Sequence, residues 1–240
     1  RGYSIDEEEF ARCMEEQRNR ARAANVKDAE AAWSTYGGVH ADLLKELGAT
    51  EFVGYESLSA DAKVCAIVRN GERVDSLSAG EQGEVVLDVT PFYAEMGGEV
   101  GDTGTITADG VELQVTDTKA PEKGLVCHVA TVASGVLTVG MAVSAQVDAK
   151  RRACIARNHT CTHILHAALR QVLGAHVKQA GSYVGPDRLR FDFTHFESVT
   201  PEQLKQVEEL ANSVIMSATA TNIFETSLAK AREEGVTALF

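Results

Sequence analysis

Residues 158–166 read Asn158-His159-Thr160-Cys161-Thr162-His163-Ile164-Leu165-His166. They lie inside a longer run, 149–173, that contains no Gly or Pro and stops at Gly174, where a C-cap glycine belongs. The run is predicted to be one helix. On it His159 and His163 stand one turn apart with Thr162 beside them, and His166 follows one turn on. Ile155 joins that face, while Ile164, Leu165, Ala168, Leu169 and Val172 form an adjacent apolar stripe. The stripe is expected to pack and the histidine face to look into a cleft. Two imidazoles so spaced can share a metal, although the same pair also arises where each ring is simply a satisfied core group. A metalloprotease helix of the H-E-x-x-H type places Glu after its first histidine; Thr160 stands there instead. Cys161 lies roughly 200° round the helix from His159, which turns it away from the pair.

On the N-terminal side of this helix the pattern changes to short β-branched runs separated by turn residues. Residues 63–69 and 73–77 flank Asn70-Gly71, a strong hairpin signal. Further runs follow at 84–89, 104–107, 111–117, 125–132 and 142–147, with Asp109-Gly110 and Ser134-Gly135 as turns. Closely spaced short strands of this kind predict a small antiparallel barrel. One connection within it, residues 91–104, packs two aromatics, Phe92 and Tyr93, and the pair Gly97-Gly98 into a loop. Such glycines serve either a sharp turn or the close approach of a ligand to backbone N–H groups.

Beyond Gly174, two strand-like runs at 177–184 and 188–194 are joined by Gly185-Pro186-Asp187. Thr200-Pro201 then opens a helix expected to reach about residue 218, followed by a strand over 222–227 and a helical piece over 228–234. At the other end, Ser4 and Glu7 form a capping-box sequence that predicts a first helix, and residues 28–47 hold helical fragments broken by Gly37-Gly38. The expected fold is therefore α+β and multidomain. A helical connector (1–49) leads to a β-barrel (50–147) and then to an α+β sandwich (148–240), with helices on one face of a mainly antiparallel sheet.

Composition narrows the function classes. No apolar run approaches the ~18 residues of a membrane span. Five cysteines, Cys13, Cys65, Cys127, Cys154 and Cys161, are odd in number and never spaced C-x-x-C, which argues against a disulfide framework and fits a reducing cytoplasm. The net charge is -12, yet residues 150–195 carry eight basic residues against two acids, giving +6 there and leaving -18 for the rest. This basic segment surrounds the histidines and favours an anionic ligand. Its arginines Arg151, Arg152, Arg157 and Arg170 are candidate RNA contacts. The first residue is not Met and no apolar leader follows it, so an internal piece of a longer protein is expected.

Four ordered motifs resemble the bacterial alanyl-tRNA synthetase family. They are Arg-Asn-His-Thr-Cys-Thr-His-Ile-Leu-His-Ala-Ala-Leu-Arg (157–170), Lys-Gln-Ala-Gly-Ser-Tyr-Val (178–184), Arg-Phe-Asp-Phe-Thr-His (190–195) and Pro-Phe-Tyr-Ala-Glu-Met-Gly-Gly-Glu-Val-Gly-Asp-Thr-Gly (91–104). The similarity runs in order over essentially the whole chain. It implies the internal editing region, which hydrolyses the ester of tRNA(Ala) mischarged with serine or glycine; the parent enzyme joins alanine to tRNA(Ala) using ATP and Mg2+ bound elsewhere. By the same resemblance His159 and His163 are Zn2+ ligands, Thr162 senses the serine hydroxyl, Gln179 lies near the substrate, and Gly97 and Gly98 belong to the loop presented towards the site. His195 closes the third motif and is read as a satisfied structural histidine. The expected partner is the acceptor end of tRNA(Ala).

Two departures shape the expectation. The family loop usually reads Gly-Gly-Gln, whereas Glu99 follows Gly98 here. The family also completes its zinc site with a downstream Cys-x-x-x-His element, before which this chain ends, so the region alone is expected to hold zinc weakly and to lack deacylase activity. Two alternatives remain open: a non-catalytic tRNA-binding or structural module, and a free-standing trans-editing protein.

Overall fold

The computed structural model describes residues 38–220 and 226–234, together with Glu9, Arg12, Met14 and Glu16. Most of the helix predicted from Ser4 therefore lies outside the described residues; its four described members are helical. The described residues fall into two compact units, one within Arg1–Ala94 and Thr103–Val147, the other within Glu95–Asp102 and Asp148–Phe240.

The first unit begins with helix α1 (Val39–Leu47), closed by Gly48, whose N–H donates to Leu44 O. Eleven strands follow: β1 (Glu51–Phe52), β2 (Ser59–Arg69), β3 (Glu72–Val74), β4 (Ser76–Ser78), β5 (Gln82–Leu87), β6 (Val89–Thr90), β7 (Gly104–Ala108), β8 (Val111–Glu122), β9 (Leu125–Ser134), β10 (Val136–Thr138) and β11 (Ala142–Val147). Six of them close into a barrel in the order β2-β5-β9-β8-β7-β11, with β11 pairing back onto β2. Closure leaves no free edge among these six strands. The predicted hairpin at Asn70-Gly71 is present, with positive φ at both residues (54° and 80°), as a type I′ turn requires. Several strands are longer than their apolar runs suggest: β8 continues to Glu122, because ladder bonds to β9 persist across three register shifts.

Alternation sorts the side chains. Along β11, Val143, Ala145 and Val147 are buried and the residues between them exposed. These join Val85, Leu87, Ile106, Leu113, Val115 and Phe92 in the barrel interior. The interior also contains a polar group, His128, at 0% exposure. Its Nδ1–H donates to Val85 O at 2.8 Å, and its Nε2 accepts from the Thr90 hydroxyl at 2.7 Å, whose oxygen in turn accepts from Phe92 N–H. All partners are satisfied, which is what allows an imidazole there. A second cluster lies on the opposite face of β2, β5 and β9: Ala66, Val68, Val86, Leu125 and Cys127 pack with Leu43, Val39 and Leu44 of α1. Residues 39–47, the described helical part of the stretch expected as a connector, thus cover the outside of the barrel sheet.

The second unit contains α2 (Ala149–Leu173), β12 (Gln179–Val184), β13 (Leu189–Phe193), α3 (Pro201–Met216) and α4 (Leu228–Glu233). Asp148 caps α2 by accepting from Arg151 N–H, and Gly174 N–H closes it on Arg170 O. Thr200 caps α3 with Pro201 at its first position, as predicted, and Gln203 completes a capping box with Thr200. β12 and β13 pair antiparallel, and Phe191 and Phe193 pack with Leu169 and Ala168 of α2, Val177, and Val207 of α3. Among the described residues the sheet has two strands. The strand predicted over 222–227 lies outside them except for its last two residues, which are not in a strand.

Candidate functional site

Helix α2 does not present its histidines as one row. Ile155, Thr162, His166 and Leu169 are buried, while His159 and His163 stand at the exposed side of that face. The expectation that His166 lines a cleft with the pair is corrected: its ring packs 5.1 Å from that of Phe191, and it is 8% exposed. The apolar stripe pulls α2 onto β13, and a residue seven positions beyond His159 has drifted round into that contact. His159 and His163 remain together, their rings stacked at 5.1 Å and 21°. His163 also borders an apolar pocket of about 290 Å³ with Ile164, Ala167, Gln171, Leu210 and Val214.

The glycine loop belongs to this same unit, although in sequence it falls between two barrel strands. Gly98 has φ +89°, and a Cβ there would lie 2.3 Å from Ser182 O, so only glycine fits. That close approach lets Val184 N–H donate to Gly98 O at 2.8 Å and Val100 N–H to Val184 O at 3.1 Å. Gly97, also at positive φ, has open space around it. From the helix side, Arg151 donates to Gly101 O, and Arg152 pairs bidentately with the buried carboxylate of Asp102. Two of the four arginines expected to contact RNA, Arg151 and Arg152, therefore hold the loop. Arg157 is exposed and donates to Cys154 Sγ, and Arg170 is half-buried.

These contacts bring Glu99 to His159. The buried Glu99 carboxylate accepts from His159 Nδ1–H at 2.6 Å. Hydrogen bonding to Glu99, helped by its charge, raises His159 above the usual imidazole range and outweighs its partial burial. His163 moves the other way, lowered by burial and then by the neighbouring His159 and His166. The pair therefore holds one ring that readily carries a proton beside one that resists it. Sequence reasoning missed this partner because 60 positions separate the two residues; Glu99 at the usual glutamine position was the available signal.

Thr162, 6% exposed, donates its hydroxyl to Asn158 O at 2.8 Å, which leaves its oxygen lone pairs as acceptors. Asn158 in turn donates to Gly185 O and fixes α2 to the end of β12. Gln179 is half-buried at the start of β12, opposite Phe193. His195 stacks on His176, with ring nitrogens 2.8 Å apart. The donor chemistry at the pair suits zinc. Glu99 holds the proton of His159 on Nδ1 and leaves Nε2 as a lone-pair donor, the arrangement common behind zinc-bound imidazoles. Among the described residues no three donor atoms that include these two histidines lie within 4.8 Å of one another.

No helix of the described residues is long and apolar enough to cross a membrane. Similarity to known proteins extends over the whole chain. It is 48% identical over 239 residues to an alanine–tRNA ligase of Pelotomaculum thermopropionicum, 47% to one of Desulforamulus reducens and 46% to one of Nitrobacter winogradskyi. Each alignment takes in all of this chain and 27% of the relative, so the chain spans about a quarter of the length of these ligases. The profile of the family described as tRNA synthetases class II (A) matches residues 1–151. With most of its length matched, the chain belongs to the class II (A) tRNA synthetase family.

Proposed function

We propose that this chain is the editing region of an alanyl-tRNA synthetase, the part of the ligase at which the ester of tRNA(Ala) mischarged with serine or glycine is hydrolysed, and that this activity needs the full-length ligase. The ligase joins alanine to the same tRNA with ATP and Mg2+ at a separate aminoacylation site in the cytoplasm. A pocket that accepts alanine cannot exclude glycine by size and discriminates poorly against an added hydroxyl, which calls for a second, hydrolytic sieve. The observation that carries this reading is the contact between Glu99 of the glycine loop and His159, one turn from His163 on a helix within a basic segment.

His159 Nε2 and His163 are the ligands for Zn2+, with Glu99 orienting His159. When bound, zinc supplies Lewis acidity at the aminoacyl end and lowers the pKa of a coordinated water. The Thr162 oxygen, its own proton held by Asn158 O, accepts from the serine hydroxyl, a bond that alanine cannot form. Gly97 and Gly98 bring the loop backbone close to the ester, and Gln179 flanks it from β12. Arg157 and Arg170 contact phosphates of the acceptor end, while Arg151 and Arg152 hold the loop.

A specific test is Thr162→Val in the full-length ligase, with preformed Ser-tRNA(Ala) and Gly-tRNA(Ala) as substrates. Loss of one charge-neutral hydrogen bond, about 1 to 2 kcal/mol, slows serine hydrolysis about 10-fold and leaves glycine hydrolysis nearly unchanged. Equal rates for both substrates in the variant and the parent would remove Thr162 from the site. A second reading, tRNA binding without chemistry, is favoured by the absence, among the described residues, of a third donor grouped with His159 and His163. It predicts that the chain alone binds the tRNA in a salt-dependent manner with no turnover.

A further inference from the structure

Away from the histidine helix, three potential metal donors of different chemistry meet in the first unit. His40 comes from α1, Glu84 from β5 and Cys127 from β9, and their donor atoms all lie within 4.8 Å of one another. Strand pairing explains the meeting. Val86 stands opposite Cys127, and Glu84, two residues before Val86, shares its face of the sheet, so the two side chains are diagonal neighbours. α1 lies over that face and lowers His40 onto them, to 1% exposure, with Nε2 2.5 Å from Glu84 Oε2.

We propose that His40, Glu84 and Cys127 form a site for a thiophilic divalent cation such as Zn2+, joining α1 to the barrel sheet. An imidazole, a carboxylate and a thiolate are a donor set that selects zinc over magnesium or calcium. The charges also balance: one carboxylate and one thiolate neutralise a divalent ion, so the filled site carries no net charge in its buried position. Bonds of about 2.0 to 2.3 Å in a tetrahedron set donors about 3.3 to 3.7 Å apart. The three donors lie within 4.8 Å of one another, so side-chain adjustments of about 1 Å, closing on Cys127 and opening the 2.5 Å His40–Glu84 contact, reach that spacing. Glu84, with its side chain 19% exposed, is the route of entry and leaves the fourth position for water. Binding releases the Cys127 proton to solvent, and His40 presents Nε2 to the ion with its ring proton on Nδ1.

The test uses the chain with His159→Ala and His163→Ala, which removes the other candidate donors, titrated with Co2+ under reducing conditions. The expected result is a near-ultraviolet thiolate-to-cobalt band that saturates at one ion per chain, is displaced by Zn2+, and disappears in Cys127→Ser. His40→Ala weakens binding at least 10-fold. Folding of each variant is checked by circular dichroism, and if Cys127→Ser does not fold, Cys127→Ala and Glu84→Gln replace it. Absence of the band, or its survival in a folded Cys127 variant, overturns the proposal.

Discussion

The carboxylate at position 99 settles which nitrogen of His159 faces outward. With Nδ1–H committed to Glu99 at 2.6 Å, only Nε2 is left to bind an ion. Glu99→Ala removes that constraint, and zinc affinity measured by competition with a chromophoric chelator is expected to fall 10- to 100-fold. Glu99→Gln keeps an acceptor oxygen and retains most of the affinity; an equal loss in both variants would mean that the charge, not the tautomer, matters. His128 gives a second prediction at this scale. Burial lowers its pKa from 6.5 to about 4, so the unfolded chain takes up a proton on this ring before the folded barrel does. Its contribution is complete above pH 6.5 and is lost progressively as pH falls to about 4, a span of about 3 kcal/mol. Urea denaturation at pH 7.5 and 4.5 should show that drop in the parent and a smaller one in His128→Gln.

Among the elements, the stretch Glu95–Asp102 depends most on a few contacts. Gly98→Ala meets both a positive φ, costing about 1 kcal/mol, and a backbone oxygen at 2.3 Å. The loop should detach from β12, visible as faster hydrogen exchange at the Val100 and Val184 amides. Asp102→Ala leaves Arg152 largely buried without its carboxylate and is expected to cost about 3 kcal/mol of stability in this unit, measured by chemical denaturation. Elements defined by local chemistry were legible in the sequence. Gly174 ends α2, Thr200-Pro201 starts α3, and Asn70-Gly71 turns the first hairpin, because each signal acts within four residues. What sequence did not reveal is long-range: α1 covering the outer face of β5 and β9, His166 turned into the core, and Glu99 reaching His159. None of these has a periodic or capping signature, since each is decided by which surfaces meet after the strands have paired.

Across the whole molecule, a net charge of -12 coexists with a +6 segment around the histidine pair. Repulsion from the acidic remainder should keep nucleic-acid affinity modest and steeply dependent on salt, with tRNA binding weakening as salt rises and Arg157→Ala reducing the slope by about one ion. The central claim is hydrolysis of a mischarged ester at the pair on α2. Its most direct measurement is the rate of Ser-tRNA(Ala) deacylation by the full-length ligase beside that of His159→Ala and His163→Ala, with alanine charging followed in parallel. Each variant is expected to lose at least 100-fold in deacylation while alanine charging is unchanged. Deacylation at the parent rate in both variants would contradict it.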